Sequence, residues 1–130
     1  MPIVTTTIQL ATDTAAYAVG DAVGGLIEIP GMARAVGLGG IIQSVTLMED
    51  TVQAASATLF FFPDRITQTA NNAAYAPSDV DMRTCLGFVA LTSYPATAPT
   101  LNQIATAPNV GLAYQCKAGS TTLFAQLQTN

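Results

Sequence analysis

The segment Ile41-Ile42-Gln43-Ser44-Val45-Thr46-Leu47-Met48-Glu49-Asp50 decides the fold class of this chain. Its side chains alternate between a mixed set and a mostly apolar set, which is the period of a β-strand and not of a helix. A strand of this kind predicts an antiparallel sheet covered on one side. Gly37, Gly39 and Gly40 precede it and predict a flexible connection.

Seven further segments carry strand patterns bounded by turn residues; they are residues 3–10, 22–30, 58–62, 86–92, 101–106, 110–117 and 121–127. The pattern of residues 101–106 is ambiguous. Residues 58–62 form a continuous apolar run that ends at Pro63, which fits a strand buried on both faces or one facing a core and a partner. Residues 118–120, Ala-Gly-Ser, predict a hairpin between the last two strands.

Helical patterns are confined to residues 78–84, where Ser78 followed by Asp81 predicts an N-cap and one short helical turn. Residues 51–55, 67–77 and 93–99 are predicted connections. No linker, repeat or charge run divides the chain. We therefore predict one all-β domain over residues 1–130, an antiparallel β-sandwich that is jelly-roll-like, with about eight strands. Residues 1–10 are either its first strand or an extended N-terminal arm.

Charge is scarce in this chain: 9% of its 130 residues are charged, against about 25% in an average soluble domain. Histidine is absent, which excludes His-dependent triads and His-ligated zinc. Four basic against eight acidic residues disfavour nucleic-acid binding. No apolar run has the length of a membrane span, and no signal peptide is visible, so we expect no membrane partner.

The few charged side chains leave a surface of Thr, Gln, Ser, Asn and Ala. Such a surface fits either a Thr-rich monomer or a protein whose surface is covered by partners, because interface cores are depleted in charge. The second interpretation is favoured. It gives weight to Arg34, Arg65 and Arg83, because Arg suits bidentate ion pairs at interfaces.

Tyr17 and Tyr75 join the three arginines as candidate interface residues, since Tyr is common at sheet rims and interfaces. Asp64-Arg65 and Asp81 with Arg83 are candidate local or intersubunit ion pairs. The tyrosines also support an alternative function, in which the four of them stack against sugars; they are Tyr17, Tyr75, Tyr94 and Tyr114.

Candidate catalytic and metal sites are weak. Glu49-Asp50 and Asp64 are carboxylates at strand ends, where solvated acids are common. Asp79 and Asp81 lie near Asn71 and Asn72, but helix capping explains these two acids without Ca²⁺. We therefore expect no enzyme activity, no metal and no cofactor.

Two cysteines, Cys85 and Cys116, lie far apart in sequence and are interpreted as buried free thiols, with a bridge left open. A catalytic cysteine would need a histidine partner, and the chain has none.

Three segments, taken in order, resemble small head decoration or cement proteins of tailed phages, including cyanophages. They are residues 13–25 (DTAAYAVGDAVGG), 40–47 (GIIQSVTL) with 59–63 (LFFFP), and 71–81 (NNAAYAPSDVD) with 86–89 (LGFV). The resemblance covers roughly residues 11–90, and the remaining third matches only as generic strands.

The resemblance implies a non-enzymatic virion protein, made in the host bacterial cytoplasm and then bound to the outer surface of the capsid. It implies a homotrimer at or near local threefold axes that clamps neighbouring major capsid subunits. The family has no ligand site to carry over. An extended N-terminal segment, residues 1–7, is suited to reach a neighbouring subunit by strand addition.

Overall fold

The computed structural model describes residues 4–12, 15–49, 56–92, 94 and 102–130. Within these residues the chain forms eight strands and one short helix. In chain order they are β1 (Ala22–Ile29), β2 (Gly39–Ile42), β3 (Val45–Glu49), β4 (Ala57–Phe62), α1 (Asp79–Met82), β5 (Gly87–Leu91), β6 (Gln103–Ala107), β7 (Leu112–Gln115) and β8 (Leu123–Thr129). All sheet pairings are antiparallel, and the predicted all-β fold class is confirmed.

The strands pair in a nested order: β1 with β8, β2 with β7, β3 with β6, and β4 with β5. This folded-over double-strand pairing is the one found in jelly rolls. Strand β8 also pairs with β4, which joins the outer pairs into a four-stranded sheet of order β1-β8-β4-β5. We call it the sheet.

The two inner pairs follow one another along the chain and form what we call the ribbon, residues 39–49 and 103–115. Only Gln43 and Ser44 separate β2 from β3, and the Val110 N–H donates to the Gln43 carbonyl across the join (2.8 Å). The ribbon is therefore a bent two-stranded layer that faces a four-stranded sheet.

The main core lies between the sheet and the ribbon. The sheet contributes most of its buried side chains, including Phe61, Val89 and Leu127, and the ribbon contributes Ile42 and Ala105. In β8 the alternation places Leu123, Ala125 and Leu127 in this core, where each is at most 3% exposed. The core thus depends mainly on the inner face of the sheet.

The outer face of the sheet is covered as well. Phe62, Ile66 and Phe124 form a second buried cluster there. The loop after β4 crosses this face, and the Gln126 side-chain amide donates to the Thr69 carbonyl (2.7 Å). Strand β4 is consequently packed on both faces, as its continuous apolar run predicts.

Residues 3–10 were predicted as a first strand, and this prediction is wrong for the part that the structure describes. Residues 4–10 belong to no strand, although residue 3 lies outside the described part. Their alternation is strand-like, but a strand needs a hydrogen-bonded neighbour. The other prediction for this segment, an extended arm, agrees with what is observed.

The hairpin predicted at residues 118–120 is also wrong. A turn is present, since the Ser120 N–H donates to the Lys117 carbonyl (2.9 Å). However, β7 pairs with β2 in the ribbon, whereas β8 pairs with β1 and β4 in the sheet. The turn carries the chain from one layer to the other.

The predicted strand over residues 41–50 is divided into β2 and β3. Ile42 and Val45 both pack against the core, although a single strand with a period of two cannot turn residues three apart to one face. The break at Gln43-Ser44 changes the phase. Of the preceding glycines, Gly37 lies in a turn as predicted, whereas Gly39 and Gly40 belong to β2, and a Cβ at Gly39 would overlap the Tyr114 carbonyl oxygen.

The remaining predictions concern the helix and the loops. Helix α1 is confirmed, with the Ser78 hydroxyl accepting from the Asp81 N–H (3.1 Å). The ambiguous segment 101–106 contains β6, which begins at Gln103. Asp50, the connection 51–55 and all of 93–99 except Tyr94 lie outside the described residues.

Two phenylalanines on the outer face of the sheet test how its packing stabilises the fold. Phe62 is fully buried, whereas Phe88 is 65% exposed. Phe62→Ala should lower the free energy of unfolding by about 3–5 kcal/mol, because it leaves a cavity. The matched control Phe88→Ala should lower it by less than about 1 kcal/mol. Urea denaturation measures both, and equal losses would contradict this assignment of the buried face.

Candidate interaction surface

The outer edge of β1 is covered by the loop that follows β4. The Ala22 N–H donates to the Ala73 carbonyl (2.8 Å). Two side chains then accept from the strand: the Asn71 amide oxygen from the Gly24 N–H (2.8 Å) and the Gln68 amide oxygen from the Leu26 N–H (3.0 Å). This edge cannot recruit another strand while these side chains occupy its donors.

Tyr17 belongs to the same network. Its hydroxyl donates to the Asn71 amide oxygen (2.8 Å), the atom that also accepts from Gly24. Tyr17 is half-buried and helps to hold Asn71 against the edge of β1. The structure therefore gives this candidate interface residue a role within the chain.

The outer edge of β2 and β3 is different. In the described part of the chain, β2 pairs only with β7 and β3 only with β6, so one edge of residues 39–49 has no strand beside it. We call it the bare edge. Residues 39–48 contain no charged side chain and no proline, the usual protections of an exposed edge. Glu49 is the first charge along it.

The outward surface of the ribbon is uncharged too. Met48 faces Ile104 across the β3–β6 pair, Thr46 faces Thr106, and Ile41 faces Ala113 across the β2–β7 pair. All six side chains are exposed. We call these six residues the ribbon face, and its lack of charge is a feature that it shares with the cores of protein interfaces.

An open groove of about 2500 Å³ separates residues 39–49 of the ribbon from β1. Its walls include half-buried apolar side chains of both layers, among them Val23 and Ile29 from the sheet and Val45 and Leu47 from the ribbon. Residues 4–10 lie along it. The ribbon face and residues 39–48 of the bare edge form an uncharged region, and the groove beside it is lined by two charged side chains among the described residues, Arg34 and Glu49.

The three arginines occupy different environments. Arg65 forms an ion pair with Glu28, and its guanidinium lies 5.4 Å from the centre of the Phe124 ring. Arg34 is exposed at the groove, and Arg83 is exposed at the C-terminus of α1. Neither of these two forms an ion pair with any residue that the structure describes.

The candidate local ion pairs have other partners. Asp64 pairs with Lys117 (3.0 Å) and accepts from the Arg65 backbone N–H, and these contacts hold the pKa of its carboxyl below the usual value. Asp81 accepts from the Thr67 N–H (3.2 Å). Both acids therefore fix loops at the outer face of the sheet.

The other tyrosines are half-buried, and each contacts its own chain. Tyr75 packs on Phe60, with ring centres 5.3 Å apart. The Tyr114 hydroxyl donates to the Met32 carbonyl (2.6 Å), and the Tyr94 hydroxyl to Glu49 (3.3 Å). The candidate residue Tyr75 thus forms part of the cover of the sheet.

Glu49 and Tyr94 adjoin a buried glutamine at one end of the ribbon. Gln103 faces Glu49 across the β3–β6 pair and is 2% exposed. One oxygen of each side chain, Oε2 of Glu49 and Oε1 of Gln103, has no hydrogen-bond partner among the described residues. Sequence reasoning missed Gln103, because the pattern of β6 was ambiguous.

The geometry gives little support to the candidate catalytic and metal sites. The structure gives Glu49 and Asp64 separate partners, Tyr94 and Lys117. Asn71, whose place near Asp79 and Asp81 in the sequence raised the question of Ca²⁺, uses its amide oxygen for Tyr17 and Gly24. Among the described residues, no three His, Cys, Asp or Glu side chains lie close enough to hold a metal ion.

The two cysteines are not bonded to each other. Cys116 is buried, and burial raises the pKa of its thiol, which lowers its reactivity. Cys85 is half-buried, with its thiol 3.5 Å from the Gly87 carbonyl oxygen. The prediction of free thiols is confirmed for both cysteines, but the prediction of burial is confirmed for Cys116 alone.

No protein-family model matches the chain, no curated protein matches its sequence, and no solved structure matches its fold. Within the residues that the structure describes, no helix has the length and apolar character needed to cross a membrane.

Two tyrosines make stability fall at alkaline pH. Burial raises the pKa of Tyr75 to about 12, and burial with the nearby Glu49 raises that of Tyr94 to about 12. In the unfolded chain a tyrosine has a pKa near 10. The stability that the two tyrosines contribute is therefore present below pH 10 and is lost as the pH rises toward 12. Tyr75→Phe and Tyr94→Phe should each flatten this loss in urea denaturation.

The two variants should differ at about pH 8. The Tyr75 hydroxyl is buried without a hydrogen-bond partner in the described chain, so Tyr75→Phe should be as stable as the natural protein or more so. Tyr94→Phe removes the bond to Glu49 and should be less stable. A large loss of stability in Tyr75→Phe would mean that the Tyr75 hydroxyl has a hydrogen-bond partner, which would contradict the structure.

Proposed function

We propose that this protein is a structural virion protein: a capsid decoration or cement protein of a tailed phage. It trimerises on the outer head surface and clamps neighbouring major capsid subunits. The observation that carries the proposal is the uncharged region formed by the ribbon face and the bare edge, in a chain with 9% charged residues.

The surface of the ribbon supports an assembled state. A free monomer normally carries charged, patch-free surfaces and protected strand edges. Here the outer edge of β1 is covered by Asn71 and Gln68. The fold therefore protects one of its two outer strand edges from pairing with another strand. The unsealed edge and the exposed Ile41 and Met48 are features of a surface that becomes covered.

The capsid is proposed as the partner because the three segments that resemble decoration proteins occur in the order found in that family. We assign the ribbon face to the major capsid protein, because it is exposed and without charge. Free thiols agree with synthesis in a reducing bacterial cytoplasm, from which the protein joins the virion surface. Neither nucleic acid nor membrane is a partner in this proposal.

A carbohydrate- or receptor-binding module of a phage fibre or tail remains the alternative. Its motivation was a set of tyrosines free to stack on sugars. In the structure Tyr17, Tyr75, Tyr94 and Tyr114 are half-buried and contact their own chain. This gives the alternative less support than the uncharged region gives the first proposal.

Light scattering and co-sedimentation test the proposal. The purified protein should have the molar mass of a trimer, and it should sediment with phage heads prepared without it but not with unexpanded proheads. A monomer that binds neither particle would contradict the proposal. Binding to a glycan array without binding to heads would favour the alternative.

A charge on the ribbon face should weaken capsid binding. Ala113→Glu places a carboxylate at an exposed position on this face and should weaken co-sedimentation with heads by at least about tenfold, because the charge loses water on binding. Val80→Glu, on exposed α1, is the matched control and should bind normally. Thermal unfolding should be unchanged in both; equal binding by the two variants would contradict the assigned face.

A further inference from the structure

We propose that residues 4–10 of a second copy of this chain add as a strand to the bare edge. Such strand addition is one form of the self-association that the proposed function requires, and to that extent it rests on that function. We call these residues the N-terminal arm. The acceptor is the edge of β2 and β3, and the groove beside it receives the apolar side chains of the arm.

The sequence of the arm fits a strand that covers a core. Val4, Thr6, Ile8 and Leu10 alternate with Thr5, Thr7 and Gln9. A strand with this alternation buries one face and exposes the other. β-Branched residues, which strands favour, occupy most of its positions. The arm thus has the sequence of a strand but pairs with no strand among the described residues of its own chain.

The arm has unused hydrogen-bonding capacity. Within the described part of the chain, residues 4–10 form no backbone or side-chain hydrogen bond. Val4 is 72% exposed and Ile8 is 39% exposed. Pairing with an edge would satisfy the backbone groups, and burying the alternate apolar side chains would add the hydrophobic contribution.

The acceptor matches the arm in chemistry and length. Half of the backbone groups in residues 39–49 point to the edge that no described strand occupies. Seven arm residues extend over about 23 Å, which is shorter than the eleven-residue acceptor. The groove offers half-buried Val45 and Leu47 to the apolar face of the arm.

A second copy, not the arm of the same chain, is the occupant that the geometry favours. The end of the arm, Leu10, lies against Gly24 of β1, where a Cβ would be 3.2 Å from the Leu10 Cβ. This holds the arm at the sheet, on the side of the groove opposite the bare edge. In this position the arm lies along the groove yet bonds to neither edge.

Cross-linking between two different chains tests the exchange. One chain carries Thr7→Cys, on the outward face of the arm, and the other carries Thr46→Cys, exposed on β3. Both carry Cys85→Ala and Cys116→Ala. Mixing them under mild oxidation should give a covalent heterodimer on a non-reducing gel, because neighbouring strands bring cysteines within disulfide reach.

Thr106→Cys is the matched control for Thr46→Cys. Thr106 faces Thr46 across the ribbon and is equally classed as exposed, but it lies one strand farther from the bare edge. A neighbour two strands away is about 10 Å distant, too far for a disulfide. Equal cross-linking at both positions, or none at Thr46→Cys in a protein that self-associates, would overturn the proposal.

Two charges on adjacent arm residues give a second test. Ile8→Asp places a carboxylate on the groove side and should weaken self-association by at least about tenfold. Gln9→Asp places the same charge on the outward side and should weaken it less than about threefold. Sedimentation equilibrium measures both, and circular dichroism checks that both variants are folded.

The outcomes separate this proposal from the proposed function. If the arm variants self-associate like the natural protein and still bind phage heads, strand exchange is wrong and the decoration function stands. If the natural protein is monomeric and does not bind heads, the proposed function fails with it. If exchange occurs without binding to heads, only the decoration function fails.

Discussion

The structure depends on one mismatch: a sheet of four strands packs against a ribbon of two. Strands lie about 4.8 Å apart, so the ribbon is about half as wide as the sheet it faces. The core is closed where β3 and β6 approach β5, and it is open between β1 and residues 39–49. The groove, the bare edge and the position of the N-terminal arm all follow from this difference in width.

Two strand edges lie beside the groove, and only one of them is protected from pairing with another strand. The edge of β1 has its donors occupied by the Ala73 carbonyl and by the Asn71 and Gln68 side chains. Within the described part of the chain, no loop or side chain accepts from the edge of β2 and β3, and residues 39–48 carry no charge. An exposed edge of that kind invites pairing. Low charge throughout the chain therefore fits a surface that functions when covered, and the bare edge is the place where we propose that a second copy binds.

Much of the fold follows from alternation in the sequence. The apolar run of β4, the opposed faces of β8 and the Ser78 cap are local properties, and all were predictable. Which strand pairs with which could not be predicted. The turn at residues 118–120 has hairpin composition, but whether β7 meets β8 or β2 depends on contacts between distant residues. Residues 41–50 have the sequence pattern of one strand because Ile41 continues the apolar set of Val45 and Leu47, whereas the break at Gln43-Ser44 turns Ile42 to the core in its place. The edge cover by Gln68 and Asn71 was missed for the same reason, since it joins residues more than forty positions apart.

Hydrogen exchange along β2 and β3 tests the central claim, that the bare edge is covered by a second copy. A strand paired on one edge protects every second amide, whereas a strand paired on both edges protects all of them. In the associated protein, residues 40–48 should be protected at consecutive amides, and alternate amides should become exchangeable when the protein is diluted to monomers. Alternating protection that is unchanged between the two concentrations would contradict the account.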